Sequence, residues 1–478
     1  MRWLASLTVL VALSSCGVNV PRPVTEISLP PTAAGNGSSA PIAPQSGAGQ
    51  QFVNAAVARE WWTMFGSSRL NELVAQALTA NNDIATAESA LQQARELALV
   101  AGAARLPAAD LGYNVLRTQA TNALAPPLTD ANVSRYTLHT SQVTVSYPID
   151  VFGGVHNKMA SARAAASVQR YKFEAARTTV ISNLVLAVIQ NASLGAQINA
   201  AKANISASQK VLEMLRMRQR LGAVGTLDVA TQETTVATAE AMLPPLIRAQ
   251  VHQQALIAAL LGVAPGNPLP ALPTLDAIVL PADLPLTLPA ELVAHRPDVR
   301  AARAQMEGAS ADVGTAIAAR LPAFQISGSL GGASGNFAEM FASGNPFWTI
   351  LGSVAQPLFH GGALRHQQRA TEAALESGKA QYRAAALQAF VDVSDALTAL
   401  HADADLLDAN ARAESAARRT LQYVTRQLQL GDVGTFALLN AQAANAQAES
   451  ALLQARTARL NDCVALIQAL GGGWDAIN

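Results

Sequence analysis

The sequence of this chain repeats itself, and that repeat limits the possible folds more than any other feature. Asn82-Asp83-Ile84 corresponds to Pro297-Asp298-Val299, at a spacing of about 215 residues. The other correspondences keep the same order along the chain: Leu106-Pro107-Ala108 with Leu321-Pro322-Ala323 at about 215, and, at about 209, Pro148 with Pro357, Leu221-Gly222 with Leu430-Gly431, Val224-Gly225-Thr226 with Val433-Gly434-Thr435, and Leu261-Gly262 with Leu470-Gly471. The change of spacing indicates an exposed loop of variable length within each repeat. The chain therefore consists of two similar halves.

Proline-rich stretches and the limits of the repeats divide the chain into segments. We predict a signal peptide at 1–15, a tether segment at 16–55, a first repeat at 56–264, a proline-rich linker at 265–288, a second repeat at 289–472 and a tail at 473–478. Each repeat is predicted to contain a helix, a β-hairpin, a long helix and a return helix. The hairpins are expected at about 108–149 and 323–357.

The N-terminus is typical of a bacterial lipoprotein. Arg2 precedes the apolar stretch from Leu4 to Leu13, which is too short to span a membrane as a helix. Leu13-Ser14-Ser15-Cys16 resembles the sequence at which lipoprotein signal peptidase cuts, so Cys16 is the predicted lipidation site. Gly17 follows it, which favours the outer membrane. The second cysteine, Cys463, is predicted to be a small buried residue.

Alternation with a period of two predicts four strands, two in each half. Apolar residues alternate with polar ones in four stretches: Leu111, Tyr113 and Val115; Val143, Val145 and Tyr147; Phe324, Ile326 and Leu330; and, more weakly, Trp348, Ile350 and Val354. The hairpin turns are expected around 117–135 and 331–346, with Gly331-Gly332 at a tip. Six aromatic residues on these stretches suggest the interfacial girdles of a membrane barrel: Tyr113, Tyr136, Tyr147, Phe324, Phe347 and Trp348.

Helical periodicity covers most of the remaining chain. A first helix is predicted at about 68–105 and its counterpart at about 289–320. The run from about 155 to 221 contains no proline and would form a helix of roughly 100 Å. Apolar residues follow steps of three and four, as in a coiled coil, at Val180, Leu184, Ala187, Leu194, Ile198, Ala201, Ile205, Leu212 and Leu215, and again at Phe390, Val393, Leu397, Leu400, Ala404, Leu407 and Ala411. Pro244-Pro245 is expected to end or kink the first return helix.

Four strands cannot close a barrel within one chain, and lipid does not tolerate open sheet edges. Three copies would supply twelve strands and twelve long helical columns. No internal segment has the unbroken apolar length of a membrane helix, so any membrane span should consist of strands. The predicted fold is therefore mainly α, with four strands per chain completing a trimeric twelve-stranded β-barrel that is continued by a long coiled-coil tunnel.

Two segments carry a family resemblance. The first extends from Phe347-Trp348-Thr349 through Gln356-Pro357-Leu358-Phe359-His360-Gly361-Gly362 to Asp395-Ala396-Leu397; the second comprises Leu284-Pro285, Leu288-Pro289 and His295-Arg296-Pro297-Asp298-Val299. Together with the lipoprotein signal and the repeat, they resemble the TolC-like outer-membrane factor family, in particular the NodT-type lipoproteins of efflux systems. The resemblance covers nearly the whole mature chain.

The resemblance implies a homotrimeric channel in outer-membrane lipid, lipid-anchored and barrel-spanning, with most of its mass in the periplasm. It implies an equatorial belt built from the termini and the linker, and a passive duct for drugs or other small toxic compounds. The partners would be a periplasmic adaptor and an inner-membrane transporter, often of the resistance-nodulation-division class. A duct of the same architecture for type I protein secretion or heavy-metal export is the alternative.

The candidate site residues lie beyond the long helices. The predicted adaptor-contact tips are Leu221, Gly222, Val224, Gly225 and Thr226 in the first half and Leu430, Gly431, Val433, Gly434 and Thr435 in the second. Their assignment to adaptor docking rests on the resemblance. Asp228 and Asn440 are the candidates for a periplasmic gate, and helix capping is the alternative role of Asp228.

Other classes of protein find little support in the sequence. The 33 basic and 33 acidic residues balance, which gives no indication of a nucleic-acid partner. Hydrolase, zinc and phosphate-loop motifs are missing from the sequence, so we expect no catalytic residue, metal site or cofactor and no enzyme. A coiled-coil lipoprotein without a pore would explain the helices but not four alternating strands.

Overall fold

The computed structural model describes residues 49–53, 55–119, 135–285 and 295–474. Cys16, the signal peptide, most of the tether and Leu288-Pro289 lie outside these residues. The chain forms two compact units. The first comprises the described residues of Leu91–Gln169 and Ala302–Tyr382, and the second those of Ile27–Ala90, Arg170–Ala301 and Arg383–Asn478.

Seven α-helices and six strands occur in the described residues, in an order that follows the sequence repeat. The helices are α1 (Ser68–Ala80), α2 (Asn82–Ala103), α3 (Gly154–Arg220), α4 (Thr226–Leu260), α5 (Pro297–Ala318), α6 (Ala363–Leu430) and α7 (Thr435–Ala469). The strands are β1 (Gln51–Val53), β2 (Ala108–Gln119), β3 (Arg135–Ile149), β4 (Asp283–Pro285), β5 (Ala323–Ser334) and β6 (Pro346–Ala355).

The first unit contains one antiparallel sheet with the strand order β2-β3-β5-β6. The two hairpins pair through β3 and β5, where Val143 lies opposite Leu330. Gly331 and Gly332 lie within β5, so their expected position at a hairpin tip is wrong. The physical reason is space, because a Cβ at Gly331 would lie 2.3 Å from the Ser141 carbonyl oxygen and one at Gly332 would lie 2.1 Å from that of Met340.

The second unit contains the largest hydrophobic core of the described residues. Trp61, Phe65, Leu184, Val188 and Ile467 are almost fully buried in it. These residues come from the segment before α1, from α3 and from α7, which are distant in sequence. The predicted coiled-coil residues Val180, Leu184, Leu400 and Ala404 belong to the same core, as does Cys463. The prediction that Cys463 is buried is confirmed.

The first predicted helix is two helices that meet at Asn81. The amide oxygen of Asn81 accepts hydrogen bonds from the N–H groups of Asp83 at 2.9 Å and Ile84 at 3.2 Å. Its amide nitrogen donates to the Leu260 carbonyl at 3.0 Å. An extended backbone at Asn81 interrupts the periodic sequence, because its side chain caps the new helix more favourably than an unbroken helix would allow.

Pro244-Pro245 does not end the return helix, and the expected break there is wrong. Helix α4 continues through both prolines as far as Leu260. The prolines remove the hydrogen bonds to the carbonyls of Glu240 and Ala241. All four residues are exposed, so water can satisfy those carbonyls, and the turns on either side keep the helix continuous.

One described helix is long and apolar enough to cross a membrane by length and composition. It is α3, and 67% of its apolar window is buried inside the fold. The expectation that no internal stretch has this property is therefore wrong for α3. The helix supplies much of the core of the second unit, and that burial accounts for its apolar composition.

Candidate functional site

One face of the four-stranded sheet is apolar across all four strands. Leu111 lies opposite Val143, Val143 opposite Leu330, and Leu330 opposite Trp348, so these residues form one row. A second row of the same face contains Val145 and Ile350. Trp348 and Ile350 are each 73% exposed, and Leu111 is 78% exposed. A continuous exposed apolar face of this kind is suited to lipid.

The opposite face of the sheet is mainly polar. Its rows include Asp110, Thr144, Ser329 and Thr349, which are cross-strand partners in that order. Such a face is suited to a water-filled lumen. Four of the aromatic residues predicted to form girdles share the apolar face: Tyr113, Tyr147, Phe324 and Trp348.

Two aromatic residues depart from the predicted girdle. The register places Tyr136 and Phe347 on the mainly polar face, since Tyr136 pairs with Thr118 and Phe347 with Gly331. Their assignment to an interfacial girdle is therefore wrong. A shift of one residue in the strand register moves a side chain to the opposite face of the sheet. The alternation of apolar and polar residues at the strand ends is too weak to define that register from sequence.

The two tips have the same backbone construction. Helices α3 and α6 end at Arg220 and Leu430, and α4 and α7 begin at Thr226 and Thr435. Gly222 and Gly431 adopt left-handed φ values of +75° and +85°, which favour glycine and end each long helix. Both glycines have open space around the position of a Cβ atom.

The second glycine of each tip has a different role from the first. Gly225 and Gly434 have extended φ values of −84° and −81° and immediately precede the return helices. Any residue can adopt these angles, so a side chain at either position does not strain the backbone. Only the first glycine of each tip therefore supplies the left-handed conformation with which the chain reverses.

The tips expose apolar side chains to solvent. Leu221 and Leu430 are 78% and 66% exposed, and Leu227 and Phe436 are 79% and 73% exposed. Leu227 and Phe436 are equivalent in the repeat and follow the predicted tip residues. Sequence reasoning did not select them, although an apolar residue just inside each return helix was a visible signal.

Of the two gate candidates, Asp228 is half-buried and Asn440 is exposed, and a hydrogen bond joins the two tip regions. The Gly225 N–H donates to the Asp228 carboxylate at 3.2 Å, which is a capping interaction within the first turn of α4. Asn440 is exposed on α7.

The Arg218 guanidinium donates to the carbonyl oxygen of Leu428 at 3.3 Å and so connects α3 with α6.

The side chains of the second unit whose pKa values are most strongly shifted lie away from the tips, on α7. Burial, followed by the charge and the hydrogen bond of Asp403, raises the pKa of Asp462 to about 7 against the opposing effect of Arg459. Burial also raises the pKa of the Cys463 thiol to about 11. In the described residues, no group of three or more His, Cys, Asp and Glu side chains is arranged to hold a metal ion.

An open sheet with one apolar and one polar face, joined to paired helices of 67 and 68 residues, defines the class of outer-membrane channels that extend into the periplasm. The outer membrane efflux protein family matches residues 73–263 and 288–472, and this chain belongs to that family. It is an outer-membrane protein and the exit duct of a tripartite efflux pump. The family consists of transport proteins rather than enzymes.

Individual relatives agree with this assignment. The pyoverdine export outer membrane protein OpmQ of Pseudomonas putida is 30% identical over 443 residues, which cover 91% of this chain and 93% of OpmQ. The toluene efflux pump outer membrane protein TtgF of Pseudomonas putida is 29% identical over 434 residues, with coverage of 87% and 86%. Nodulation protein T of Rhizobium leguminosarum is 24% identical over 430 residues, with coverage of 87% and 88%.

Solved structures share the fold. VceC from Vibrio cholerae has a TM-score of 0.79 and 25% identity, and the match covers 87% of this chain and all of VceC. The outer-membrane channel OprN has a TM-score of 0.82 and 24% identity, with coverage of 90% and 98%. The predicted family and the mainly α fold with a four-stranded β part are therefore confirmed.

Proposed function

We propose that three copies of this chain close a twelve-stranded barrel through β2 and β6. The observation that carries this proposal is the exposed apolar face of a sheet whose outer strands are β2 and β6 among the described residues. An unpaired strand edge in lipid leaves backbone N–H and C=O groups without partners, and pairing β2 of one copy with β6 of the next satisfies them. Because each copy supplies four strands, three copies supply the twelve strands of the barrel.

Cross-linking between outer strands tests the trimer. Asn114→Cys on β2 is combined in turn with Thr349→Cys, Leu351→Cys or Ser353→Cys on β6, all at positions of the mainly polar face. We expect one of these pairs to give a covalent trimer on a non-reducing gel. The matched control is Thr144→Cys with Ser329→Cys, which are partners within one chain and should give only monomer. If all three double-cysteine variants conduct ions and yet run only as monomers on the non-reducing gel, the proposal is contradicted.

We propose further that this duct exports small organic compounds, supplied by a resistance-nodulation-division transporter through a periplasmic adaptor. The similarity to export proteins named for pyoverdine and toluene supports small organic cargo over secreted proteins or heavy metals. The test is deletion of the chain's gene in its host, followed by measurement of drug and solvent tolerance. Restored tolerance on complementation supports the proposal, whereas loss of protein secretion or metal tolerance alone favours the alternative duct.

The adaptor is proposed to dock at the two tips. Exposed leucines beside compact glycine turns present small apolar surfaces that a helical hairpin of a partner could cover. Gly225→Trp and Gly434→Trp should abolish export while the channel still assembles, because neither position requires a left-handed backbone. Gly49→Trp, in the tether segment, also has no neighbours at the Cβ position and no left-handed backbone, so it controls for bulk elsewhere. Normal export by both tip variants would place the adaptor elsewhere.

The anchor is proposed to be an acylated Cys16. Mass spectrometry of the mature protein should find an N-terminal cysteine carrying acyl chains, since two or more chains are needed for firm attachment. Cys16→Ser is expected to insert and conduct, because the barrel is itself a membrane anchor. Cleavage at another residue without acylation would contradict the lipoprotein proposal and leave the channel unaffected.

A further inference from the structure

The basic residues of the four-stranded sheet are gathered at one end of one face. Strands β2, β3, β5 and β6 contain two arginines and one histidine, namely Arg117, Arg135 and His139, and a single acidic residue, Asp110. Arg117 follows Leu111 at an even spacing, and the register places Arg135 and His139 on the same, apolar face. Asp110 lies on the opposite face. No acidic residue of these strands therefore shares the face with the arginines.

The strand register makes these three basic residues neighbours. Arg117 lies directly opposite Thr137, so Arg135 and His139 are its two diagonal neighbours on the same face. The Cβ atoms of diagonal neighbours are about 7–8 Å apart, a separation that long side chains span. Arg117 and Arg135 are exposed, and Arg135 donates to the neutral amide oxygen of Gln119 at 3.2 Å. Two guanidinium groups, one imidazole and one hydroxyl can therefore reach a common ligand.

Two further rings hold the His139 side chain in place. The Tyr113 hydroxyl lies 2.7 Å from His139 Nδ1, and the two rings are stacked with their centroids 6.2 Å apart. Phe337, from the connection between β5 and β6, packs edge-on against Tyr113 at 5.6 Å and against His139 at 6.4 Å. A hydroxyl that donates to Nδ1 places the proton of a neutral imidazole on Nε2. The His139 ring is thereby prepared to donate a hydrogen bond to an anion.

This basic cluster lies at the end of the sheet that is remote from the helices. Helix α2 precedes the first residue of β2 and α3 follows the last residue of β3, whereas the cluster occupies the opposite ends of both strands. With the helices in the periplasm, that end lies at the outward surface of the membrane, so the inference rests on the proposed barrel. Val115 and Val143 beside the cluster are exposed on the apolar face. The ligand should therefore carry a charged group and apolar chains, as a lipid does.

The donors of the cluster match a phosphate monoester. A guanidinium group binds phosphate through two parallel hydrogen bonds. The connection between β5 and β6 carries one carboxylate, that of Glu339, which accepts a hydrogen bond from the Asn336 amide at 3.4 Å. Two arginines against one carboxylate leave this end of the sheet positive among the described residues. Four donating side chains exceed the needs of a diester, which has two free oxygens, and suit a monoester, which has three.

We propose that Arg117, Arg135, Thr137 and His139 bind the terminal phosphate of a lipid in the outward-facing leaflet. The two guanidinium groups, the Thr137 hydroxyl and the His139 Nε2–H donate to the phosphate oxygens. The acyl chains lie along the exposed apolar face beside Val115. Each copy of the chain carries one such site, so a trimer holds three lipids around its rim.

Native mass spectrometry of the full-length channel in detergent tests the proposal. Phosphatidic acid, phosphatidylglycerol and phosphatidylcholine with identical acyl chains are added to separate samples at equal concentration. We expect one phosphatidic acid to be retained per copy, and at least about fivefold less of either diester lipid. Arg117→Gln or Arg135→Gln should each lower the retention of phosphatidic acid about fivefold, as expected when one arginine is removed beside an anionic headgroup. The matched control is Arg105→Gln, an exposed residue between α2 and β2 at the other end of that strand, which should leave retention unchanged.

Several results would overturn the proposal. They are equal retention of the three lipids, equal losses from Arg117→Gln and Arg105→Gln, and retention of added inorganic phosphate in place of lipid, which would indicate a site for a free anion. Arg135→Gln provides an independent variant if Arg117→Gln does not assemble. The same spectra count the copies of the chain. A trimer that retains no phosphatidic acid contradicts the lipid site alone, whereas the absence of any trimer contradicts the barrel and the site with it.

Discussion

Arg296 and Asp392 form an ion pair of 2.8 Å that joins the residue before α5 to helix α6. The Arg296 guanidinium also contacts Asp298 at 2.7 Å and donates to the Ala469 carbonyl at 3.0 Å. Burial alone would lower the pKa of Arg296, but hydrogen bonds and charges from Asp298 and Asp392 raise it above its ordinary value. The residue therefore stays charged and links three segments that are far apart in sequence.

Removal of this link should destabilise the second unit. Arg296→Met is expected to lower the free energy of unfolding by about 2–4 kcal/mol, because it leaves a buried carbonyl and two carboxylates without their donor. Thermal unfolding of the detergent-solubilised protein measures the effect. Arg303→Met, which breaks an exposed pair with Glu307, should change the free energy by less than about 1 kcal/mol. Equal effects of the two variants would contradict the interpretation.

The Asp403–Asp462 pair should make stability depend on pH. Burial, followed by the charge of Asp403, raises the pKa of Asp462 from 3.8 to about 7. Because the raised pKa favours the neutral form in the folded state, its contribution to stability is complete below pH 3.8 and is lost as pH rises through about 7. Asp462→Asn should therefore reduce the fall in thermal stability between pH 5 and 8. A pH profile identical to that of the parent would exclude this role.

Charge at the tips should control ion selectivity if Asp228 lines the closed end. Asp228→Asn keeps an oxygen that can accept the Gly225 N–H, so it removes the charge while preserving the cap. A trimer would lose a ring of three carboxylates, and its preference for cations should fall. Asn440→Asp adds a ring and should increase that preference. Reversal potentials in planar bilayers under a salt gradient measure both, and unchanged values would leave Asp228 with capping alone.

Replacement of the helix cap Asn81 should lower the free energy of unfolding more than replacement of the cap Ser67. Asn81→Ala removes two accepted hydrogen bonds and one donated bond to Leu260, at a site that is 5% exposed. We expect a loss of about 2–3 kcal/mol in the free energy of unfolding. Ser67→Ala, at the start of α1, removes one longer bond of 3.4 Å and should cost about 1 kcal/mol or less. Denaturation midpoints at constant pH compare the two.

Periodic patterns allowed the long elements to be predicted from sequence. Helix α3 was expected at about 155–221 and occupies Gly154–Arg220, and the four strands lie in the predicted stretches. These features depend on residues close in sequence, because a helix or a strand imposes its period on consecutive side chains. The repeat adds a second copy of each signal. The positions of Gly222 and Gly431 at the tips follow from the same local logic.

Features that depend on distant residues could not be predicted in this way. Strands β1 and β4 have three residues each and lie 232 positions apart, so neither shows a period. The division at Asn81 depends on the Leu260 carbonyl of α4, and continuity through Pro244-Pro245 depends on both residues being exposed. The Arg296 link likewise requires carboxylates from two helices and the Ala469 carbonyl of a third.

The sequence by itself determined the two-part repeat, the kinds and lengths of the main elements, and the family, because those properties are encoded in local periodicity and short motifs. Tertiary structure decided which face of the sheet each aromatic residue occupies, where the first helix divides, and which glycine of each tip reverses the chain. It also brought Asn191 beside the linker, where its amide oxygen has no partner among the described residues. The physical reason is that hydrogen bonds and burial between distant residues outweigh local preference wherever a buried polar group must find a partner.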